Sequence, residues 1–179
     1  MLPYNVELEG KTVLVTGAAG FIGSNLVMRL FHDFRNIKVI GIDSITDYYD
    51  VNIKYERLKE IESLNRDWTF VRASIADKDV VERIFSENKI FVVVNLAAQA
   101  GVRYSITNPD AYVQSNLIGF YNILEACRHH EVEHLVYASS LLDKLILCKL
   151  LTYIYAYFQP VLSVSFPLNQ SILYYHIFI

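Results

Sequence analysis

Short apolar runs alternate along this chain with stretches whose apolar residues recur at helical spacing. Residues 12–16 (TVLVT), 37–43 (IKVIGID), 68–73 (WTFVRA), 90–98 (IFVVVNLAA) and 134–139 (HLVYAS) are rich in β-branched and aromatic side chains and mostly apolar without alternation. That pattern predicts strands covered on both faces rather than strands with one wet side. Between them, Ile22, Leu26, Val27, Leu30 and Phe31 share one helical face, and Val113, Leu117, Phe120, Tyr121 and Leu124 share another. Weaker helical patterns fit residues 52–64 and 78–88. Strand and helix in strict alternation predict an α/β fold: a doubly wound parallel sheet with right-handed crossovers and helices on both faces.

The first strand-to-helix junction adds chemistry to this frame. It reads TGAAGFIG and carries glycines at 17, 20 and 23. In such a turn Gly17 supplies a backbone conformation closed to other residues, Gly20 lets the main chain approach a pyrophosphate, and Gly23 lets the helix pack close to the sheet. The helix start then offers unpaired amides and a partial positive charge to phosphates. Asp43 ends the second strand at the roughly 20-residue distance where an acid accepts hydrogen bonds from the adenosine ribose hydroxyls. A carboxylate there repels a 2′-phosphate, so the expected cofactor is NAD rather than NADP. The expected cofactor contacts are Gly17, Ala19, Gly20, Phe21, Ile22, Gly23 and Asp43, joined at the end of the fourth strand by Ala97, Ala98 and Gln99.

Composition narrows the classes further. The 179 residues are 53% apolar and carry a formal net charge of −3 with dispersed Lys and Arg, which gives no electrostatic footprint for nucleic acid. Cys127 and Cys148 have no metal-ligand spacing and no disulfide framework, so no metal is expected and a reducing, cytoplasmic setting suits the chain. Glu7 and Glu9 stand where a signal peptide needs an apolar core.

The Gly-x-x-Gly-x-x-Gly spacing resembles the extended short-chain dehydrogenase/reductase family, the NAD-dependent nucleotide-sugar epimerases and dehydratases. Residues 41–58 (GIDSITDYYDVNIKYERL), 95–128 (NLAAQAGVRYSITNPDAYVQSNLIGFYNILEACR) and 134–140 (HLVYASS) are similar to UDP-glucuronate 4-epimerases in particular. The resemblance implies hydride removal from C4 of a UDP-sugar by NAD, proton removal by a tyrosine, and return of hydride to the other face of a 4-keto intermediate. It implies Ser140 as the catalytic serine, with Ser139 and Arg103 toward the substrate, and a homodimer built on the helix over residues 109–129. Asn116, a poor helix former inside that helix, is expected to tie it to a neighbouring strand.

The resemblance stops at Ser140. The family's Tyr-x-x-x-Lys helix and substrate domain have no counterpart in residues 141–179, and the one Tyr-x-x-x-Lys spacing, Tyr55 to Lys59, falls between the second and third strands, on the wrong side of the sheet order. Residues 1–140 are therefore expected to form a partial NAD-binding Rossmann domain, truncated after the fifth strand and inactive alone. Residues 141–179 form an apolar tail with three readings. One is a membrane anchor over residues 150–175, opposed by Gln159, Pro160, Pro167, Asn169 and Gln170. Another is a sixth strand at residues 150–158. The third and favoured is an out-of-frame or read-through sequence. The alternative function is a non-catalytic NAD-binding module, associated with a membrane through the tail.

Overall fold

A computed structural model describes residues 6–138 and the backbone of residues 176–177. Five strands alternate with helices: β1 (Thr12–Thr16), α1 (Phe21–Asp33), β2 (Lys38–Asp43), α2 (Val51–Ser63), β3 (Trp68–Arg72), α3 (Lys78–Glu87), β4 (Val92–Asn95), α4 (Val102–Thr107), α5 (Pro109–Tyr112), α6 (Phe120–His129) and β5 (His134–Ala138). A seven-residue π-helical segment, Val113–Gly119, joins α5 to α6. The sheet order is β3-β2-β1-β4-β5, all parallel, and His176–Ile177 (β6) pairs with Tyr137 and Ala138 at the β5 edge. An edge strand presents unpaired amides and carbonyls that an extended segment can take up. The sixth strand expected at residues 150–158, the apolar stretch 150–175, Ser139 and Ser140 lie outside the described residues.

The central strands β1, β2 and β4 are covered on both faces as their apolar runs predict, whereas β3 exposes Thr69 and Arg72 and β5 buries only Leu135 and Tyr137. Val13, Val15, Val39 and Val94 pack on one face with Val27, Leu30 and Phe31 of α1 and Ile61 of α2. Leu14, Ile40, Ile42 and Val93 pack on the other with Ile84 and Phe85 of α3 and Phe120 and Ile123 of α6. Local chemistry sets where several helices begin: Asp50 accepts from the Asn52 amide at 2.9 Å, Asp77 from Val80 at 3.2 Å and Asn108 from Ala111 at 3.4 Å, each satisfying an orphan first-turn donor.

Two expected helical faces differ from what is observed. Ile22, in the first turn of α1, is 42% exposed, while Gly23 and Ser24 beside it are buried. Val113, Leu117 and Tyr121 are exposed as well, while Gly119, Phe120, Asn122, Ile123 and Ala126 face inward. Only part of the expected stripe meets the core: Phe120 and Leu124 pack there, while Val113 and Leu117 lie in the π segment itself, where a 3.6-residue period does not hold.

Candidate nucleotide site

The glycine turn, Asp43 and the Ala97–Gln99 stretch come together at the carboxyl ends of β1, β2 and β4. Gly17 turns the chain out of β1 with φ +68°, a conformation L side chains rarely adopt. A Cβ at Gly17 would lie 2.9 Å from the Ala97 nitrogen and from the Leu96 carbonyl carbon, so the turn also crosses tightly over the exit of β4. Thr16 explains why β4 is held there. Its buried hydroxyl donates to Asn95 Oδ1 at 2.7 Å and accepts from the Leu96 and Ala97 amides at 3.1 and 3.0 Å.

The other two glycines divide their work unequally. A Cβ on Gly23 would fall 2.2 Å from the Gly17 carbonyl oxygen and 3.0 Å from Ala18 Cα. Gly23 thus lets α1 close on the turn itself, where the sequence led us to expect close packing on the sheet. At Gly20 the same Cβ would meet only the Gly17 carbonyl oxygen, at 3.0 Å, and otherwise open space. Gly20 is the N-cap of α1, with no side-chain cap and no acid in the following turn. The first amides of α1, at Phe21, Ile22 and Gly23, have no acceptor within the helix. The positive end of the helix is therefore left for something else to satisfy. The Phe21 and Ile22 side chains point to solvent, so any contact they make with a phosphate is through their backbone.

Asp43 ends β2 and is 8% exposed. Its Oδ2 accepts from the Ala19 amide at 3.2 Å and its Oδ1 from the Ile45 amide at 2.8 Å. Lys54 Nζ stands 3.6 Å from Oδ1, itself almost fully buried. Arg57 reaches over the turn to donate to the Ala19 carbonyl at 3.3 Å and to the Tyr49 hydroxyl at 3.2 Å. Sequence reasoning missed Lys54 because a helical lysine ordinarily reads as solvated. The signal lay in spacing: Lys54, Leu58 and Ile61 are the buried residues of α2, so the lysine occupies a core-facing position of the i, i+4, i+7 pattern.

A cavity of about 250 Å³ opens between these groups, lined among others by Gly17, Gly20, Asp43, Ala97, Ala98 and Gln99 and also by Lys54, Ser74, Ile75 and Ser115, which the sequence had not singled out. Ala19 lies buried behind the turn and serves through its amide. Arg103 sits exposed on α4, outside the cavity lining. Two asparagines hold the cavity walls. Asn116, in the π segment, accepts from the Gln99 amide at 2.8 Å and donates to the Gln99 carbonyl at 3.0 Å. It ties its helix to the loop after β4. Asn122 donates to the carbonyls of Ile75 and Ala76 at 3.0 and 3.1 Å and so fixes the loop after β3.

At the mouth, the Tyr48 and Tyr104 rings lie 5.1 Å apart, and a Cβ on Gly101 (φ +102°) would strike the Tyr48 hydroxyl. Tyr112 donates to the Ala100 carbonyl at 2.9 Å and also to that of Gly101. Desolvation, with Tyr48 and Tyr104 beside it, raises the Tyr112 pKa above the ordinary tyrosine value and keeps the phenol a donor. The segments DYYD (residues 47–50) and AGVRYS (residues 100–105), far apart in sequence, therefore pack on each other.

A parallel sheet wound on both faces, with a glycine turn, an uncapped helix start and an acid at the next strand end, defines a Rossmann-type domain with its ligand cleft at the strand carboxyl ends. The chain belongs to the GDP-mannose 4,6 dehydratase family, whose sequence profile matches residues 14–141. It is 50% identical over 128 residues to Protein CapI of Staphylococcus aureus, covering 72% of this chain and 37% of that protein. It is 43% identical over 134 residues to UDP-glucuronate 4-epimerase 4 of Arabidopsis thaliana, covering 74% and 30%. Among solved structures, the Thermus thermophilus UDP-glucose 4-epimerase in complex with NAD matches with TM-score 0.59 and 38% identity, over 72% of this chain and 37% of that one. The chain spans well under half the length of these relatives. The resemblance to epimerases and dehydratases and the doubly wound fold are both borne out. Among the described residues no helix is long and apolar enough to cross a membrane, and no group of acidic, His and Cys side chains is placed to hold a metal ion.

Proposed function

We propose that this chain binds NAD in preference to NADP and represents the cofactor-holding part of a nucleotide-sugar 4-epimerase acting on UDP-glucuronate. The observation that carries the reading is the buried Asp43 carboxylate, held by two backbone amides at the rim of a cavity into which Gly17 and Gly20 also open. Those amides orient the carboxylate, and its remaining lone pairs are left for a ribose diol. The exposed backbone at Gly20 and the uncapped α1 amides suit a pyrophosphate. At about 250 Å³ the cavity is smaller than the roughly 300–1,000 Å³ typical of a whole drug-sized ligand, so it accounts for one end of a dinucleotide, the adenosine end beside Asp43. When bound, NAD would supply a hydride acceptor for C4 of the sugar. The names of the relatives support the UDP-sugar assignment, UDP-glucuronate above UDP-glucose in the residues 47–50 and 100–105 that resemble that group.

A second reading, a module that binds NAD without turning over a sugar, is favoured by one observation. Tyr55 and Lys59 lie on α2, outside the cavity lining, and no other tyrosine in the chain has a lysine at that spacing. General acid–base help is worth about 100- to 10,000-fold, so this chain is expected to turn over UDP-glucuronate negligibly. Ser140 and Ser139 remain the proposed serine pair, and Arg103 a proposed substrate contact.

Isothermal titration of the 179-residue chain with NAD and NADP tests the reading. NAD is expected to bind more tightly than NADP, and Asp43→Ala to weaken NAD at least tenfold. Equal affinities, or Asp43→Ala titrating like the parent, would remove Asp43 as the ribose acceptor. Multiple turnovers of UDP-glucuronate would remove the non-catalytic reading.

A further inference from the structure

The cleft holds a charged side chain that neither the glycine turn nor the acid explains. Lys54 is 5% exposed and lines the cavity beside Asp43. An ammonium carries three N–H donors and no acceptor. Here one reaches Thr46 Oγ1 at 3.3 Å. The Asp43 Oδ1 contact, at 3.6 Å, is an ion pair beyond ordinary hydrogen-bond length. The Tyr49 ring face lies 4.9 Å away and takes up charge without accepting a conventional bond. At least one donor of a nearly buried cation is thus unspent on protein atoms, at the wall of an open cavity. Burying such a donor unpaired is costly, and a ligand oxygen in the cavity relieves the cost.

We infer that Lys54 is a ligand-binding residue that donates to the vicinal diol Asp43 accepts from. The inference rests on the proposed NAD reading. A hydroxyl both donates and accepts, so one ribose hydroxyl can give its hydrogen to the Asp43 carboxylate and take one from the Lys54 ammonium. The ion pair then acts as a single neutral clamp: acid and base of opposite charge, fixed by α2 and β2, grip the two functions of the same group. A ribose lacking that hydroxyl forfeits both contacts at once. Thr46 and the Tyr49 ring hold the ammonium in place and limit how far it can swing.

Titration of the full 179-residue chain, its Lys54→Met variant and its Lys54→Arg variant with NAD and with NAD lacking the adenosine 2′-hydroxyl or 3′-hydroxyl separates contact from scaffold. Circular dichroism and a denaturant midpoint identify any variant that fails to fold. Lys54→Met is expected to weaken NAD at least tenfold but one of the two deoxy analogues less than threefold, with Lys54→Arg retaining most of the discrimination. If Lys54→Met weakens NAD and both deoxy analogues by the same factor, or weakens none, the contact is wrong while NAD binding by the parent stands. If Lys54→Met does not fold, discrimination of the deoxy analogues by the parent that Lys54→Arg leaves unchanged supports the contact, and its absence overturns it. If the parent binds no NAD, the cofactor reading fails and the inference falls with it.

Discussion

Gly23 and Gly20 look equivalent in the sequence and are not equivalent in space. Adding a methyl at Gly23 places it 2.2 Å from a backbone oxygen that cannot rotate away. Overpacking of this kind typically costs about 1–3 kcal/mol, and rigid backbone puts Gly23→Ala at the upper end. Gly20→Ala meets only one oxygen, at 3.0 Å, so its folding cost is expected to be under about 1 kcal/mol, the lower bound of that range. Its effect should fall on NAD affinity instead. Denaturant midpoints and NAD titrations of both variants would show the split, and a Gly20→Ala chain less stable than Gly23→Ala would contradict it. Asp43 shows a similar layering, since the acid recognised by its distance from the glycines also anchors the turn through the Ala19 amide.

Among elements, the helix running from the π segment into α6 does the most to shape the cavity. Its Asn116 and Asn122 reach the loops after β4 and β3, which form two of the cavity walls. Asn122 is buried and spends its amide on two carbonyls, so Asn122→Ala leaves acceptors unsatisfied at about 1–3 kcal/mol. The loop at Ile75 and Ala76 is expected to loosen first. Hydrogen exchange should report faster amides around residues 74–77 with β1 and β4 unchanged; uniform acceleration would mean the asparagine stabilises the whole domain rather than one wall. The elements themselves were largely legible beforehand, because strands buried on both faces leave uninterrupted apolar runs such as residues 12–16 and the helices between them keep apolar residues at helical spacing. The π segment was not legible. A wider turn leaves the apolar count of residues 113–124 unchanged, yet only Phe120 and Leu124 of that stripe meet the core and Val113, Leu117 and Tyr121 face outward. In the site, the glycine turn and Asp43 were readable since a strand-turn-helix-strand unit sets the spacing between them, whereas the Lys54 contact depends on how α2 lies against the end of β2.

For the molecule as a whole, Val113, Leu117, Ile118 and Tyr121 are exposed along one helix, between 41% and 49% each. Contiguous apolar surface of this sort promotes association. Sedimentation across a concentration series should show the chain forming larger species that Leu117→Lys weakens, and a parent that stays monomeric throughout would count against it. Residues 47–50 and 100–105 meet at the mouth of the cavity. Tyr48 fits against Gly101 and Tyr104, and any side chain at residue 101 would collide with the Tyr48 hydroxyl. The two halves of this contact are thus coupled as heritable units. A recombinant that takes residues 1–75 from one parent and the remainder from another separates Tyr48 from the glycine that makes room for it. Crossovers placed before residue 47 or after residue 105 carry the pair together, and shuffled libraries should retain folded members preferentially at those junctions.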